Sequence, residues 1–364
     1  MTPQTVRAFV LGAATMALVA LVLGGGVYVS LRIASRATSE RRVTTPSPIV
    51  APIVASPVAR TPSSDVAGCP SGLAVTTEGG LSAALAAAAP GSVIVMEAGT
   101  YTGRFVATTS GTADQPITLC GSPDAMIDGG DTTSGYALYL NGASYWNVTG
   151  FSIQGAQKGL VTDHAQHNLI SGLYVHDIGD EGIHLREFSS DNVIDGVKVR
   201  NTGLNNKKFG EGIYVGTANS NWCKYTACKP DNSDRNVIRN SDIAQTTAEN
   251  IDIKEGTSNG VIVGNHLAGA GMVASAATAW VNLKGNSWTV TGNIGQGSIK
   301  DGFQVHRVYA GWGAGNVFRS NQAVVNGPGY GFYVQSSSLQ TLVGCSNSAV
   351  GAARGLSNEA CTNA

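Results

Sequence analysis

The 364-residue sequence predicts an all-β solenoid, a parallel β-helix, from three features of the chain. Its composition is rich in glycine, with 47 residues, and low in charge, at 13%, which favours short strands and tight turns over helical bundles. Two strand patterns recur with a period of about 22–30 residues, as in solenoid proteins. Each strand alternates apolar and polar residues, which predicts one core face and one solvent face.

The two strand patterns together define one coil. Copies of the first begin at Trp146, Asn168, Asn192, Asn236, Gly260 and Asn316, with a further copy at Ser287–Val290. Copies of the second begin at Gly182, Gly212, Asn250, Trp280, Gly302 and Gly331. One 44-residue interval contains an extra loop, residues 217–234. Asn265, Asn293 and Asn321 recur 28 residues apart at equivalent turns, which predicts a hydrogen-bonded asparagine ladder.

Residues 1–42 are predicted to be a membrane anchor or signal segment. Ala8–Leu31 is an uncharged stretch of 24 residues, long enough to span a bilayer as a helix. Its length favours an uncleaved anchor over a cleaved signal peptide. Four arginines follow the span and only Arg7 precedes it. By the positive-inside rule this places the following side in the cytoplasm, against the extracytoplasmic location that the cysteines indicate.

Residues 43–67 are a proline-rich spacer, and residues 68–364 are predicted to be the β-helix domain. The domain opens with a predicted helix, Glu78–Ala89, followed by a strand at Val93–Met96. Sequence proximity pairs the six cysteines as Cys69 with Cys120, Cys223 with Cys228, and Cys345 with Cys361. Disulfides indicate an oxidising compartment; the alternative is six buried free thiols.

The net charge is −1, of which residues 1–42 contribute +4 and the remainder −5. A mildly acidic domain is a poor binder of nucleic acid, because phosphate contacts need a basic surface. It is compatible with divalent cations. We expect a monomer that binds an anionic polysaccharide and contacts the membrane through its N-terminal helix.

Stacking the coils turns equivalent positions around the second strand into columns, about 4.8 Å apart. The position before the strand holds Glu181, Glu211, Glu249, Ala279, Asp301 and Tyr330. The first outward position holds His184, Tyr214, Asp252, Asn282, Gln304 and Tyr333. The next holds Arg186, Gly216, Lys254, Lys284, His306 and Gln335. An acidic, an aromatic/amide and a basic column therefore lie side by side on one face.

Three stacked glutamates, Glu181, Glu211 and Glu249, repel one another unless a positive charge compensates them. Oxygen ligands in an extracellular setting favour calcium, so we predict that these three hold Ca²⁺. The alternative is a solvated acidic ridge. Clustering of acids, bases and aromatics on one sheet favours a functional site.

The opening helix and strand resemble the N-terminal cap of right-handed parallel β-helix proteins of the pectate-lyase-like superfamily. Residues 249–265 resemble a coil of the β-helix polysaccharide lyases related to chondroitinase B and alginate lyase. A glutamate, Glu249, precedes Lys254 by five positions, and small turn residues, a β-branched strand and Gly264-Asn265 follow. The resemblance implies that Lys254 removes the C5 proton of a uronic acid, while Glu249 helps to hold a calcium ion that neutralises the substrate carboxylate.

We therefore predict an extracytoplasmic polysaccharide lyase with Lys254, Lys284 and Arg186 as its catalytic set. His184, Tyr214, Asp252, Asn282, His306 and Tyr333 are predicted to bind substrate. The positive charge of Lys284 would lower the pKa of Lys254, and Asp252 would raise it, so the sequence leaves the sign of the shift open.

Two other functions fit the sequence. A glycoside hydrolase needs paired acids, which Glu181 with Glu211, or Asp252 with Asp301, would supply. A non-catalytic carbohydrate-binding or structural solenoid on the cell surface would explain the anchor and the spacer equally well.

Overall fold

The structure, a computed structural model, describes residues 69–363, and these form a right-handed parallel β-helix. The predicted solenoid is confirmed, since the strands pair in parallel from coil to coil. The anchor or signal segment predicted at 1–42 and the spacer predicted at 43–67 lie outside the described residues. Within 69–363, no helix combines the length and apolar character needed to cross a bilayer.

The described residues form 28 strands, two α-helices and three short 3-10 helices. In chain order the strands are β1 (Leu73–Val75), β2 (Val93–Met96), β3 (Gly99–Thr102), β4 (Phe105–Ala107), β5 (Ile117–Gly121), β6 (Ala125–Asn141), β7 (Trp146–Thr149), β8 (Ser152–Asp163), β9 (Leu169–Ser171), β10 (Tyr174–His176), β11 (Ile183–Arg186), β12 (Val193–Asp195), β13 (Lys198–Arg200), β14 (Ile213–Val215), β15 (Val237–Arg239), β16 (Asp242–Ile243), β17 (Ile251–Ile253), β18 (Val261–Val263), β19 (His266–Ala268), β20 (Val281–Leu283), β21 (Thr289–Thr291), β22 (Ile294–Gln296), β23 (Phe303–Val305), β24 (Val317–Arg319), β25 (Gln322–Gly327), β26 (Phe332–Val334), β27 (Leu342–Val343) and β28 (Ser348–Ala352). The helices are α1 (Glu78–Ala87) and α2 (Trp222–Tyr225), and the 3-10 helices are Lys207–Phe209, Asn219–Asn221 and Ser337–Leu339.

Three parallel sheets run along the solenoid axis. Sheet 1 contains 11 strands in the order β1, β2, β5, β7, β9, β12, β15, β18, β21, β24 and β27. Sheet 2 stacks β10, β13, β16, β19, β22, β25 and β28. Sheet 3 stacks β11, β14, β17, β20, β23 and β26. Near the N-terminal end, the long strands β6 and β8 contribute to both sheet 2 and sheet 3.

The core consists of columns of apolar side chains that point inward from each sheet. In sheet 3, Ile251, Val281, Phe303 and Phe332 occupy one register position and are fully buried. Phe303 and Phe332 stack with ring centroids 5.0 Å apart. Same-face neighbours on adjacent strands are the main stabilising contacts of a sheet, so each coil is held by the coils on either side.

The asparagine ladder is confirmed and continues to a fourth residue. The side-chain oxygens of Asn293, Asn321 and Asn347 each accept from the backbone N–H and the side-chain amide of the preceding ladder residue, at 2.9–3.0 Å. A second ladder joins Asn168, Asn192 and Asn236. The ladders satisfy buried turn groups that would otherwise lack partners.

Replacement of Asn293 with alanine is expected to lower the free energy of unfolding by about 2 kcal/mol or more, because it leaves several buried polar groups unpaired. Urea-induced unfolding measures this. Asn221→Ala, at an exposed asparagine, is the matched control and should change stability by less than about 0.5 kcal/mol. Equal effects of the two substitutions would contradict a stabilising ladder.

Helix α1 covers the N-terminal end of the core through Leu81, Ala84 and Leu85. The Thr77 hydroxyl caps it by accepting from the Gly80 N–H at 3.1 Å. The predicted end at Ala89 is wrong by two residues, since α1 ends at Ala87. Proline disfavours helical conformation in the residue before it, and Pro90 follows here. All three predicted cysteine pairs are confirmed as disulfides.

The outward face of sheet 3 differs from the expectation of a solvated surface. His184, Tyr214, Asp252, Asn282 and Gln304 point away from the core, yet each is at most 9% exposed. Neighbouring side chains of the same face satisfy them: Asp252 pairs with two lysines, Asn282 with Glu249, and Gln304 with Asp301. A buried polar face outside the core is what positions the candidate site.

Candidate active site

The predicted columns on sheet 3 are confirmed by its register. His184 pairs with Tyr214, Tyr214 with Asp252, Asp252 with Asn282, Asn282 with Gln304, and Gln304 with Tyr333. Because the coils stack without a register shift here, side chains distant in sequence become direct neighbours. The site is therefore built across β14, β17 and β20.

Asp252 lies at the centre of the candidate site and forms ion pairs with two lysines. Its Oδ2 is 2.7 Å from the Lys254 Nζ, and its Oδ1 is 2.6 Å from the Lys284 Nζ. Asp252 is only 1% exposed. Burial opposes the charged carboxylate, but the two lysines outweigh burial and lower the pKa of Asp252.

The pKa of Lys254 is shifted in the opposite direction. Burial lowers it, but attraction to Asp252, reinforced by other nearby groups, raises the pKa of Lys254 well above its ordinary value. The direction of the Lys254 pKa shift, which the sequence left open, is therefore upward. Lys254 is an ammonium in the free protein at neutral pH.

A group of carboxylates beside Asp252 could hold a metal ion. Glu211, Glu249 and Asp252 each offer an oxygen within 4.8 Å of the others. The Glu211 Oε2 is buried and has no hydrogen-bond partner among residues 69–363. Burial and the neighbouring Glu181, Asp252 and Glu249 raise the pKa of Glu211 well above its ordinary value. Burial and Asp252 also raise the pKa of Glu249.

Glu181 does not join this acidic group, contrary to the predicted metal set. Its carboxylate forms an ion pair with Lys158, a residue of β8, and lies 3.6 Å from the His184 Nδ1. Asp252 takes the third place beside Glu211 and Glu249 instead. The Lys158 ammonium group compensates Glu181 directly, although Glu181 still contributes to the raised pKa of Glu211.

Tyr214 lies between Lys254 and His184. The Lys254 Nζ is 4.8 Å from the centroid of the Tyr214 ring, and the His184 ring meets that ring edge-on at 4.3 Å. Burial raises the pKa of Tyr214 well above its ordinary value, so its phenol stays protonated. The site thus brings an amine and a phenolic proton donor together.

His184 is held as a neutral imidazole. Its Nε2 lies 3.0 Å from the Gly216 carbonyl oxygen, which can only accept, so the Nε2 carries the proton. Burial, together with Lys158 and Arg186, lowers the pKa of His184 well below its ordinary value. The contact fixes the ring against Tyr214.

Asn282 links the centre to the next coil. Its side-chain amide donates to the Glu249 Oε1 at 2.9 Å, and its oxygen is 2.9 Å from the His306 Nδ1. Burial and the positive charge of Lys284 lower the pKa of His306. The centre thus contains Tyr214, Asp252, Lys254, Lys284 and Asn282 with the two glutamates, and His306 lies at its border.

Arg186 lies apart from this centre. Its guanidinium donates to both Asp163 oxygens, at 2.6 and 2.9 Å, and to the Tyr136 hydroxyl at 2.9 Å. It is 5% exposed and Tyr225 covers it, with the Arg186 Cζ 4.6 Å from the ring centroid. Its charge and donors are committed to the protein. Tyr333 lies on the far side, two coils beyond Asn282.

Lys158 and Asp163 are site neighbours that the sequence columns missed, although extending the columns by one coil would have found them. Strand β8 pairs with β11 so that Leu160 faces Ile183 and Asp163 faces Arg186. The same register places Lys158 opposite Glu181. Gly159 leads this copy as Gly182 leads the next, but the first outward position of β8 holds the apolar Val161 where the later copies hold a polar or aromatic residue.

The extra loop, residues 217–234, forms a wall along one edge of the site. Its Asn219 N–H donates to the Glu255 Oε1 at 2.6 Å, beside Lys254. Trp222 meets Tyr309 edge-on with ring centroids 5.1 Å apart. Trp222 follows β14 and Tyr309 follows β23. The contact therefore spans the two coils between them, in which β17 and β20 are followed by short turns.

Several known proteins are similar to this chain. A family model described as the Pel9A-like, right-handed β-helix region matches residues 71–212. The crystal structure of an alginate lyase from Paenibacillus sp. str. FPU-7 shares 38% identity, covering 80% of this chain and 96% of that chain, with a TM-score of 0.70. No curated protein sequence matches the chain.

Two more distant structures show the fold alone. Pectate lyase Pel9A is 18% identical, with 73% of this chain and 75% of that chain covered and a TM-score of 0.56. The Streptococcus pneumoniae surface protein and adhesin PfbA is 13% identical, with 78% and 81% covered and a TM-score of 0.56. The identity to the Paenibacillus enzyme extends over nearly all of that chain, and so this protein belongs to the same right-handed parallel β-helix family, in the pectate-lyase-like superfamily.

Proposed function

We propose that the protein is a polysaccharide lyase that cleaves a uronic-acid polymer by β-elimination, with alginate as the first candidate substrate. The observation that carries the proposal is Lys254, half-buried between the Tyr214 ring and Asp252 on a polar face outside the core. The 38% identity to an alginate lyase supports it.

The reaction assigns distinct roles to Lys254 and Tyr214. Lys254, as a neutral amine, accepts the C5 proton of the uronate; the C4–O4 bond breaks and a C4=C5 double bond forms. Tyr214 is the neighbouring donor to the leaving O4, since its phenol remains protonated. General acid–base catalysis of this kind contributes typically about 10²–10⁴-fold. Lys284 keeps one Asp252 oxygen occupied while Lys254 changes protonation state.

Calcium remains part of the proposal because the donor set fits a hard cation. All the candidate donors are oxygens, and the Glu211 Oε2 has no other partner within the described residues. Both Asp252 oxygens face lysines, so Glu211 and Glu249 are the residues that would hold the ion. When bound, the ion would neutralise the uronate carboxylate and make the C5 proton more acidic.

Chelation is expected to reduce activity and calcium to restore it, with the protein also gaining thermal stability on calcium binding. Glu211→Gln should raise the calcium concentration needed for both effects at least about tenfold, because carboxylate charge sets the affinity of oxygen sites. Glu97→Gln, at an exposed glutamate, is the control. Full activity in chelator with no calcium-dependent shift in Tm would exclude the ion.

Hydrolysis is the second candidate function. Glu211, with its raised pKa, and Asp252, with its lowered pKa, lie side by side, and such separation of two carboxyl pKa values is typical of an acid and its partner in glycosidases. Both Asp252 oxygens are bonded to lysines, however, which makes this candidate weaker. A non-catalytic carbohydrate-binding role is the third.

One panel separates the three functions. The full chain is incubated with alginate, pectate and glycosaminoglycans, and both ultraviolet absorbance of unsaturated uronate and new reducing ends are followed. The lyase proposal expects both signals in parallel. Reducing ends without absorbance would indicate hydrolysis, and binding without either product would indicate a carbohydrate-binding protein.

We further propose an extracytoplasmic location, which the three disulfides support because they form in oxidising compartments. Membrane attachment through the N-terminal segment, or secretion after its cleavage, remains part of this proposal, as do a monomeric state and the lack of nucleic-acid binding.

A further inference from the structure

We propose that Lys300 and Arg354 form a binding subsite for uronate units on the C-terminal side of the reaction centre, so that the polymer lies along the solenoid axis across β20, β23 and β26. This inference rests on the proposed function for the identity of the polymer. The two cations lie on tyrosines of the same face, Tyr333 and Tyr330.

The tyrosines form an aromatic platform beyond His306. Tyr333 continues the outward column of sheet 3, and its ring stacks on that of Tyr330 with centroids 6.3 Å apart and an interplanar angle of 24°. His306 lies 5.8 Å from Tyr333, centroid to centroid. The platform is therefore continuous with Asn282 and the centre through His306. All three side chains are half-buried, so packing holds them in place while part of each ring stays open to a ligand.

Each cation lies over one ring of the platform. The Lys300 Nζ is 5.2 Å from the Tyr333 ring centroid, and the Arg354 Cζ is 5.8 Å from that of Tyr330. Cation–π contacts in this range hold a charge in place without neutralising it. Backbone contacts fix the supports, since the Arg354 N–H donates to the Gly329 carbonyl and the Tyr330 N–H to the Asp301 Oδ1.

Charge pairing distinguishes these cations from those of the centre. Lys158, Arg186, Lys254 and Lys284 each contact a buried carboxylate closely. Lys300 is 3.5 Å from the Asp301 Oδ2, which already accepts from Gln304 at 2.7 Å, and its side chain is 45% exposed. Arg354 is exposed and forms no ion pair with any residue that the structure describes.

This arrangement suits a polymer with one carboxylate on each sugar. The lysines of the centre are already paired with Asp252, so they offer little positive charge for binding further carboxylates of the polymer. Lys300 precedes β23, one coil beyond β20. Arg354 starts from the coil after β26, where its backbone N–H donates to Gly329, and its guanidinium reaches back to Tyr330 on the β26 coil, two coils and about 10 Å beyond β20. Carboxylates of units flanking the cleaved bond would meet Lys300 and Arg354 at this distance, and the arginine can bind a carboxylate in a bidentate manner.

The test measures binding apart from turnover. Affinity of the full chain for soluble alginate and pectate is titrated in a Lys254→Ala background, with neutral dextran as the control polymer. Lys300→Ala and Arg354→Ala are each expected to weaken polyuronate binding about tenfold, as for one charge-assisted hydrogen bond. The dependence of affinity on salt should also become shallower, because fewer counterions are released.

Arg319→Ala is the matched control, since Arg319 is an exposed arginine at the end of β24 in sheet 1. It should leave both the affinity and its salt dependence unchanged. Wild-type affinity and salt dependence in the Lys300 and Arg354 variants would overturn the subsite, as would equally tight binding of dextran. Polyuronate binding that depends on these residues, in a wild-type protein that makes no unsaturated product, would uphold the subsite and reject the lyase.

Discussion

Replacing Lys254 with alanine is expected to reduce kcat on a uronate polymer about 10³-fold, in the middle of the range for loss of a general base. In the proposed reaction the neutral amine of Lys254 accepts the C5 proton, and neither Tyr214, which is protonated, nor Asp252, whose oxygens are paired with lysines, can replace it. Asp252 keeps Lys284 as its partner in this variant, so the protein should remain folded.

Initial rates of unsaturated-product formation measure the effect, with Tm recorded for each variant. Lys198→Ala, at an exposed lysine of β13 in sheet 2, is the matched control and should retain the wild-type rate. Addition of a small primary amine should restore part of the activity of Lys254→Ala but none to a misfolded protein. A Lys254→Ala variant with the wild-type rate would remove Lys254 from the mechanism.

The second large effect concerns the pH dependence of kcat/KM. If Lys254 is the base, activity requires its neutral form, and the pKa of Lys254 is raised above its ordinary value by Asp252. The neutral fraction therefore grows as pH rises, and we expect kcat/KM to increase with pH into the alkaline range without a plateau near neutrality.

Asp252→Asn removes the charge that holds the proton on Lys254. The pKa of Lys254 should fall, and the alkaline limb of the profile should move to lower pH by about 1–3 units, the usual effect of a neighbouring opposite charge. Asp252→Glu keeps the charge and should keep the alkaline profile. A limb that stays in place in a folded Asp252→Asn variant, or a wild-type plateau near neutral pH, would show that another group is the base.

Much of the fold followed from the sequence because a solenoid repeats one local pattern. Register alone determines the coil period, the sheet 3 columns and the asparagine ladder. The cysteine pairs join cysteines that follow one another in the sequence. Lys254 and Asp252 were found in the same way, since a column position is set by the backbone.

The remaining features depend on side-chain geometry, which register does not determine. Whether Lys284 or Asp252 dominates the pKa of Lys254 depends on distances of 2.6–2.7 Å around one carboxylate. Arg186 pairs with Asp163 and Glu181 with Lys158. Both partners lie on β8, whose first outward residue is the apolar Val161, unlike the polar residues of the later copies. Loop 217–234, whose fold no periodicity describes, places Tyr225 over Arg186 and Trp222 beside Tyr309.

Elimination leaves a C4=C5 double bond at each new non-reducing end, and the proton NMR spectrum of the product shows whether this site produces it. The full chain is incubated with alginate, and the new non-reducing ends are examined. We expect an olefinic H4 signal and loss of the H5 signal at those ends, with neither change in Lys254→Ala. Saturated new ends that retain H5 would contradict it.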